Sequence, residues 1–123
     1  MKFSAADTDS GHLILHYDPS RILIGGRAYT QGLIVSPEHI QPGWGPASAT
    51  ELTAEHFAAL AALDPRVLII GTGERQIFPD PNAYRALLRR GLGVDIMDTG
   101  AACRTYNTLV SEGRKVVAGL LMY

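Results

Sequence analysis

A chain of 123 residues with 46% apolar and 19% charged side chains has material for one domain with a buried core, and this ordinary globular balance disfavours disorder. Eleven Lys and Arg against twelve Asp and Glu leave a formal net charge of −1, so the basic excess that neutralises phosphates is missing and a nucleic-acid partner is excluded. No apolar run approaches the roughly 18 residues of a membrane span; residues 1–11 carry one Lys, two Asp and no apolar stretch, unlike a signal or transit peptide.

In chain order, residues 1–11 read as a flexible N-terminus of a single domain spanning 1–123. Residues 12–17 form a strand stopped by Asp18 and Pro19. Residues 21–24 and 27–29 flank Gly25 and Gly26, a two-residue hairpin signal. Residues 33–35 form a further strand, ended by Ser36 and Pro37. Residues 41–46 are punctuated by Gly and Pro and predict a rigid loop, which carries the only tryptophan, Trp44.

From Thr50 helices and strands alternate. Thr53 caps a first helix, with Glu55 in its first turn and Leu52 and Phe57 as a hydrophobic staple; Asp64 and Pro65 stop it. Residues 66–70 are a continuous apolar run, the pattern of a strand covered on both faces. A second helix runs from the cap Asp80 and Pro81 to Arg89 and Arg90, ends at Gly91, and buries Tyr84, Leu87 and Leu88. Residues 94–97 are the next strand. A third helix starts near Asp98 or Thr99 and ends at Gly113, with Ala102, Cys103, Tyr106, Leu109 and Val110 as its core stripe. Residues 116–122 are a last apolar strand. This order predicts an α/β fold with a mainly parallel central sheet covered by helices. The early hairpin either extends that sheet or forms a second one.

Ligands of open parallel sheets bind beyond the carboxyl ends of strands. Gly71, Thr72, Gly73, Glu74 and Arg75 follow one strand; Asp98, Cys103 and Arg104 follow the next. Together they are the candidate pocket. The two glycines are a fragment of a dinucleotide fingerprint without its third glycine, and no Lys-Ser/Thr follows, so this is not a P-loop. Glu74 repels a phosphate and Arg75 attracts one. The alternative is that the glycines simply permit a tight turn.

Cys103 is the only cysteine, which rules out an internal disulfide and suits a reducing cytoplasm. Near a helix N-terminus a thiol pKa falls. A nucleophile also needs a base, and His12, His16, His39 and His56 all belong to the first half of the chain. The alternative is an inert, buried thiol on the core stripe. His12 and His16 stand about 13 Å apart on one strand, too far to share a metal, and neither a metal nor any other cofactor is expected. Asp98 reads as a helix cap and Asp95 as a strand-edge residue. Arg104, Asn107 and Thr108 are placed on the side of the third helix away from its core stripe. With Trp44, if its loop leaves it exposed, Asn107 and Thr108 form a candidate partner surface. Trp44 folded back as a lid on the core is the other reading.

Three segments carry a resemblance: LIIGTGERQIFP at 68–79, GLGVDIMDT at 91–99 and AACRTYNTLVSEGR at 101–114. From about residue 12 onward the chain resembles a family without an assigned chemistry, which includes the mitochondrial respiratory complex I assembly factor 3, the adipogenesis-associated domain protein and many bacterial proteins. The resemblance implies a three-layer α/β fold with a central mixed sheet, and no catalytic residues. The assembly-factor members act by binding proteins. Without a mitochondrial presequence this chain reads as a bacterial, cytoplasmic member. The expectation is a non-enzymatic protein-interaction or complex-assembly module, whose partner is another protein or a membrane complex and which does not itself insert into the membrane. The alternative is a small-molecule or enzyme site at the strand ends, built from the 71–76 and 98–104 loops.

Overall fold

Gly25 takes a φ of 58°, which an L side chain rarely adopts, and turns the chain back into the expected hairpin. In the computed structural model, which describes residues 11–122, strands β1 (Ile14–Asp18), β2 (Arg21–Ile24) and β3 (Arg27–Tyr29) form a three-stranded antiparallel sheet in that order. The hairpin therefore makes a second sheet and does not extend the main one. A bulge between Ile14 and His16 leaves Leu15 without a partner in the ladder, and its side chain is exposed. Of the expected flexible segment 1–11, all but Gly11 lies outside the described residues.

The main sheet is mixed, as the resemblance implies, with parallel and antiparallel pairs in equal number where the element order predicts a mainly parallel sheet. Its order is β5 (Ile40–Pro42), β4 (Leu33–Val35), β8 (Val116–Leu120), β6 (Val67–Gly71), β7 (Gly93–Met97). The β8–β6 and β6–β7 pairs are parallel; the β5–β4 and β4–β8 pairs are antiparallel. Strand β5 occupies the start of the segment expected to be a loop. It is an edge strand, where proline costs no ladder bond that the sheet needs, and Pro42 sits opposite Leu33.

Period-two alternation sends the side chains of each central strand to two cores. Leu33, Val35, Ile69, Val116, Ala118 and Leu120 face one cluster; Ile34, Leu68, Ile70 and Val117 face the other. The first cluster is covered by α3 (Thr99–Ser111) together with the three-stranded sheet, the second by α1 (Ala54–Ala61) and α2 (Arg85–Arg89). The result is the expected three layers.

Helix α1 is capped by Thr53, whose backbone N–H donates to His56 Nδ1 at 2.9 Å, so His56 belongs to the cap. The second helix differs from expectation. A 3-10 turn at Pro81–Ala83 is followed by Tyr84 at φ −127°, outside the helical region, and only then by α2. The Tyr84 ring packs on Phe57 at 5.3 Å between centroids. The break rotates the following turn, so Leu87 is buried while Leu88 is exposed. Helix α3 has the expected cap: Asp98 accepts from the Ala101 N–H at 2.8 Å. Its stripe of Ala102, Cys103, Tyr106 and Val110 is buried.

Candidate functional site

Strand β6 ends at Gly71, where a Cβ would lie 2.9 Å from Thr99 Oγ1 and 3.0 Å from Thr99 Cα. Helix α3 thus meets the strand end at backbone distance. Thr99 is fully buried. Its Oγ1 accepts the Gly73 N–H at 2.7 Å and donates to the Leu121 carbonyl at 2.6 Å. Its own N–H donates to the Gly73 carbonyl at 2.9 Å, and the Leu121 N–H donates to the Gly71 carbonyl at 2.9 Å. One hydroxyl stitches the loop after β6, the start of α3 and the residue after β8 together. Thr72 folds the same loop on itself: its Oγ1 donates to the Arg75 carbonyl and accepts the Ile77 N–H at 3.1 Å. Gly73 has a φ of 97°. Here the glycines serve close packing and a turn, the plainer of the two readings. The polar groups of this strand end satisfy one another.

The candidate pocket residues fall into two places. Thr72, Gly73, Glu74 and Arg75 line an open depression of about 310 Å³ with Ser48 and Met122. Cys103 and Arg104 line a different one of about 240 Å³, with His16, Tyr17 and Gly100 against β1. The single crevice expected from two adjacent strand ends is not formed. The cause is the Thr99 stitch: α3 begins against the β6 loop, and its next turn faces β1. Asp98 is occupied as the helix cap.

Cys103 is buried, and burial pushes its thiol up to about 12, with the Arg104 guanidinium pulling weakly the other way and the Asp98 carboxylate adding to the rise. At neutral pH it is a thiol, which is a poor nucleophile. His16, in the same depression, has its Nε2 on Asp18 Oδ2 at 2.8 Å. Asp18 is held well below the usual carboxylate range, first by the Ser20 hydroxyl and then by His16.

The candidate partner surface does not form one face. Trp44 is 5% exposed, and its Nε1 donates to the His56 carbonyl at 3.1 Å. A Cβ on Gly119 would lie 2.6 Å from Trp44 Cη2 and 2.9 Å from its Cζ3, so the six-membered ring of the indole packs against β8 as a lid. Asn107 is not on an outer face: its Oδ1 accepts the Ile14 N–H at 2.8 Å and its Nδ2 donates to the Ile14 carbonyl at 2.7 Å. It flanks the core stripe because β1 presents backbone polar groups there. Only Thr108 is exposed, its hydroxyl on the Arg104 carbonyl at 3.1 Å, beside an exposed Arg104. Thr99 and Asn107 are the structural polar residues that periodicity hides. Their sequence signal is a short polar side chain next to a core position of a helix.

The family described as "Protein of unknown function (DUF498/DUF598)" matches residues 14–121. The chain belongs to this family. The resemblance carried by the three segments holds. The bovine (Bos taurus) NADH dehydrogenase [ubiquinone] 1 alpha subcomplex assembly factor 3 is 32% identical over 102 residues, which is 81% of this chain and 54% of the bovine protein. The chain thus spans about half the length of the assembly-factor relatives. A crystal structure of a Bordetella parapertussis protein superposes with a TM-score of 0.85 at 36% identity, covering 91% of this chain and 96% of that one. A solution structure from Xanthomonas campestris has a TM-score of 0.81 at 35% identity, covering 94% and 87%. Among the described residues of this chain, no group of His, Cys, Asp and Glu could hold a metal ion, and no helix is long and apolar enough to cross a membrane.

Proposed function

We propose that this chain works by docking to other proteins during the assembly of a larger complex, a membrane complex included, and carries out no chemistry of its own. The similarity to the assembly factors over 81% of the chain carries this reading. Geometry supports it. At the strand end, where open α/β sheets bind small ligands, Gly71, Gly73, Thr99 and Leu121 satisfy one another. The one thiol is buried and protonated. That lone cysteine, with no disulfide to form within the chain, suits a reducing compartment such as the cytoplasm.

The test is a tagged full chain expressed at native level in its own host, with cross-linking mass spectrometry and native gels. The expected result is reproducible enrichment of the subunits of one multi-subunit complex, and less of that complex assembled when the gene is deleted. Failure of both overturns the reading.

A second reading is favoured by the depression over Thr72 to Arg75, whose rim carries the exposed charges Glu74 and Arg75. It takes a small polar molecule. A rise in melting temperature with one class of metabolite, lost in Arg75→Ala, is the expected sign; no rise with any class removes it.

A further inference from the structure

A surface helix ordinarily carries polar and charged residues on the flanks it does not bury, yet on one flank α1 presents Ala54 and Ala58, continued by its C-cap Ala62, at helical spacing and exposed. Facing them across a gap is α2. At about 100° per residue, Ala86 and Arg90 of that turn look toward α1, Arg85 and Arg89 stand on the crest, and Leu88 points to the opposite flank. Between the two helices lies a groove of about 530 Å³ whose floor is the buried Phe57 and Leu87 and whose rim includes Arg90. Methyl-sized walls let another backbone approach closely. Arg85, Arg89 and Arg90 are all exposed, and among the described residues none of them is in an ion pair. The one acidic residue of α1 is Glu55.

We infer that this groove docks one amphipathic helix of a partner protein, with an apolar stripe set between the alanines and acidic side chains against Arg85, Arg89 and Arg90. The inference rests on the docking reading above and names the surface and the chemistry of the partner. A concave, methyl-lined groove fits the stripe of a helix, whereas a membrane surface is flat and takes protruding apolar groups. A second copy of the chain fits badly: a two-fold contact sets each arginine cluster near its mate, and like charges across an interface repel.

The probes are two labelled synthetic helices of about 18 residues, with leucines at i, i+3, i+4 and i+7. One carries Glu at every flanking position, the other Lys. Their anisotropy is followed with the full chain, with A58W, which fills the groove, with A86E, and with the triple reversal R85E/R89E/R90E, each first shown to be folded by circular dichroism. The Glu helix is expected to bind, and to lose roughly tenfold or more in affinity in each variant and in raised salt. The Lys helix is expected to prefer the triple reversal. Equal binding of both helices, no binding of either, or indifference to A58W overturns the inference. So does binding to phosphatidylglycerol vesicles that the triple reversal abolishes and A58W leaves intact, or self-association that A58W abolishes. If A58W leaves complex assembly on native gels unchanged, the groove is wrong and the docking reading stands. If the wild-type chain enriches no complex, the docking reading itself fails.

Discussion

The Asn107 side chain stands beside Ile14 as a substitute strand: one amide accepts the Ile14 N–H at 2.8 Å and donates to the Ile14 carbonyl at 2.7 Å, across 93 positions of sequence. β1 is an outer strand of its sheet, and such an edge otherwise offers unpaired backbone groups to other chains. The neighbouring Tyr106 hydroxyl donates to the His12 carbonyl at 2.7 Å, so two consecutive residues of α3 hold the start of β1. Asn107→Ala is expected to lower unfolding free energy by about 1–3 kcal/mol, because it leaves a part-buried donor and acceptor unmet. Urea unfolding measures the loss, and faster amide exchange at Ile14 locates it. An unchanged midpoint and unchanged exchange exclude this role.

Thr99 is the stitch of the strand end. Thr99→Val keeps the shape and removes the hydroxyl, which orphans the Gly73 N–H and the Leu121 carbonyl. The expected cost is about 1–3 kcal/mol for each orphaned group, while Thr99→Ser stays within about 1 kcal/mol of wild type. Thermal unfolding of the pair separates the hydroxyl from the methyl; equal losses in both count against it.

Gly119 makes room for the indole of Trp44. A Cβ there would also lie 3.1 Å from Leu60 Cδ1, so neither neighbour has free space. Gly119→Ala is expected to lift the lid and to destabilise by about 1–3 kcal/mol through overpacking. Trp44 is the only tryptophan, so its fluorescence reports the change directly. A red shift of the emission is expected; an unmoved spectrum shows that the lid accommodates the methyl.

Cys103 ties stability to alkaline pH. Its pKa is 9.0 for a free thiol and about 12 in the fold. Below pH 9 both states hold the proton, and the full stability is present. Between about pH 9 and 12 only the unfolded chain ionises, so stability falls as pH rises. The fall attributable to this group is no more than about 4 kcal/mol over that span. Cys103→Ala removes this part of the slope while leaving that of Tyr106, whose hydroxyl burial also pushes up. Alkylation of the native protein at neutral pH is expected to be slow and to become fast in denaturant; rapid native labelling contradicts the buried thiol.

Much of the fold was legible because its causes are local. Two adjacent glycines make a hairpin at Gly25, a carboxylate caps the helix after Asp98, and an unbroken apolar run along 116–120 reports a strand covered on both faces. Each effect acts within a few residues and leaves a mark at fixed spacing. The second helix was less legible, since the ring packing of Tyr84 on Phe57 goes with a break that helix propensity does not show. The site was the least legible. The candidate residues follow adjacent strands as topology requires, yet Thr72, Gly73, Glu74 and Arg75 line one depression, Cys103 and Arg104 line another, Gly71 packs on Thr99 and Asp98 caps the helix.

By itself the sequence determined the family, the order of the elements and the two-sided burial of the central sheet, because hydrophobic period and capping are properties of neighbours along the chain. Only the tertiary structure decided that the strand end is stitched by Thr99, that Asn107 faces β1, that Trp44 is a lid, and that α1 and α2 leave an alanine groove with Arg90 on its rim. Those outcomes depend on which groups, as many as 93 positions apart, meet within hydrogen-bond or van der Waals distance. No spacing rule along one chain encodes that meeting.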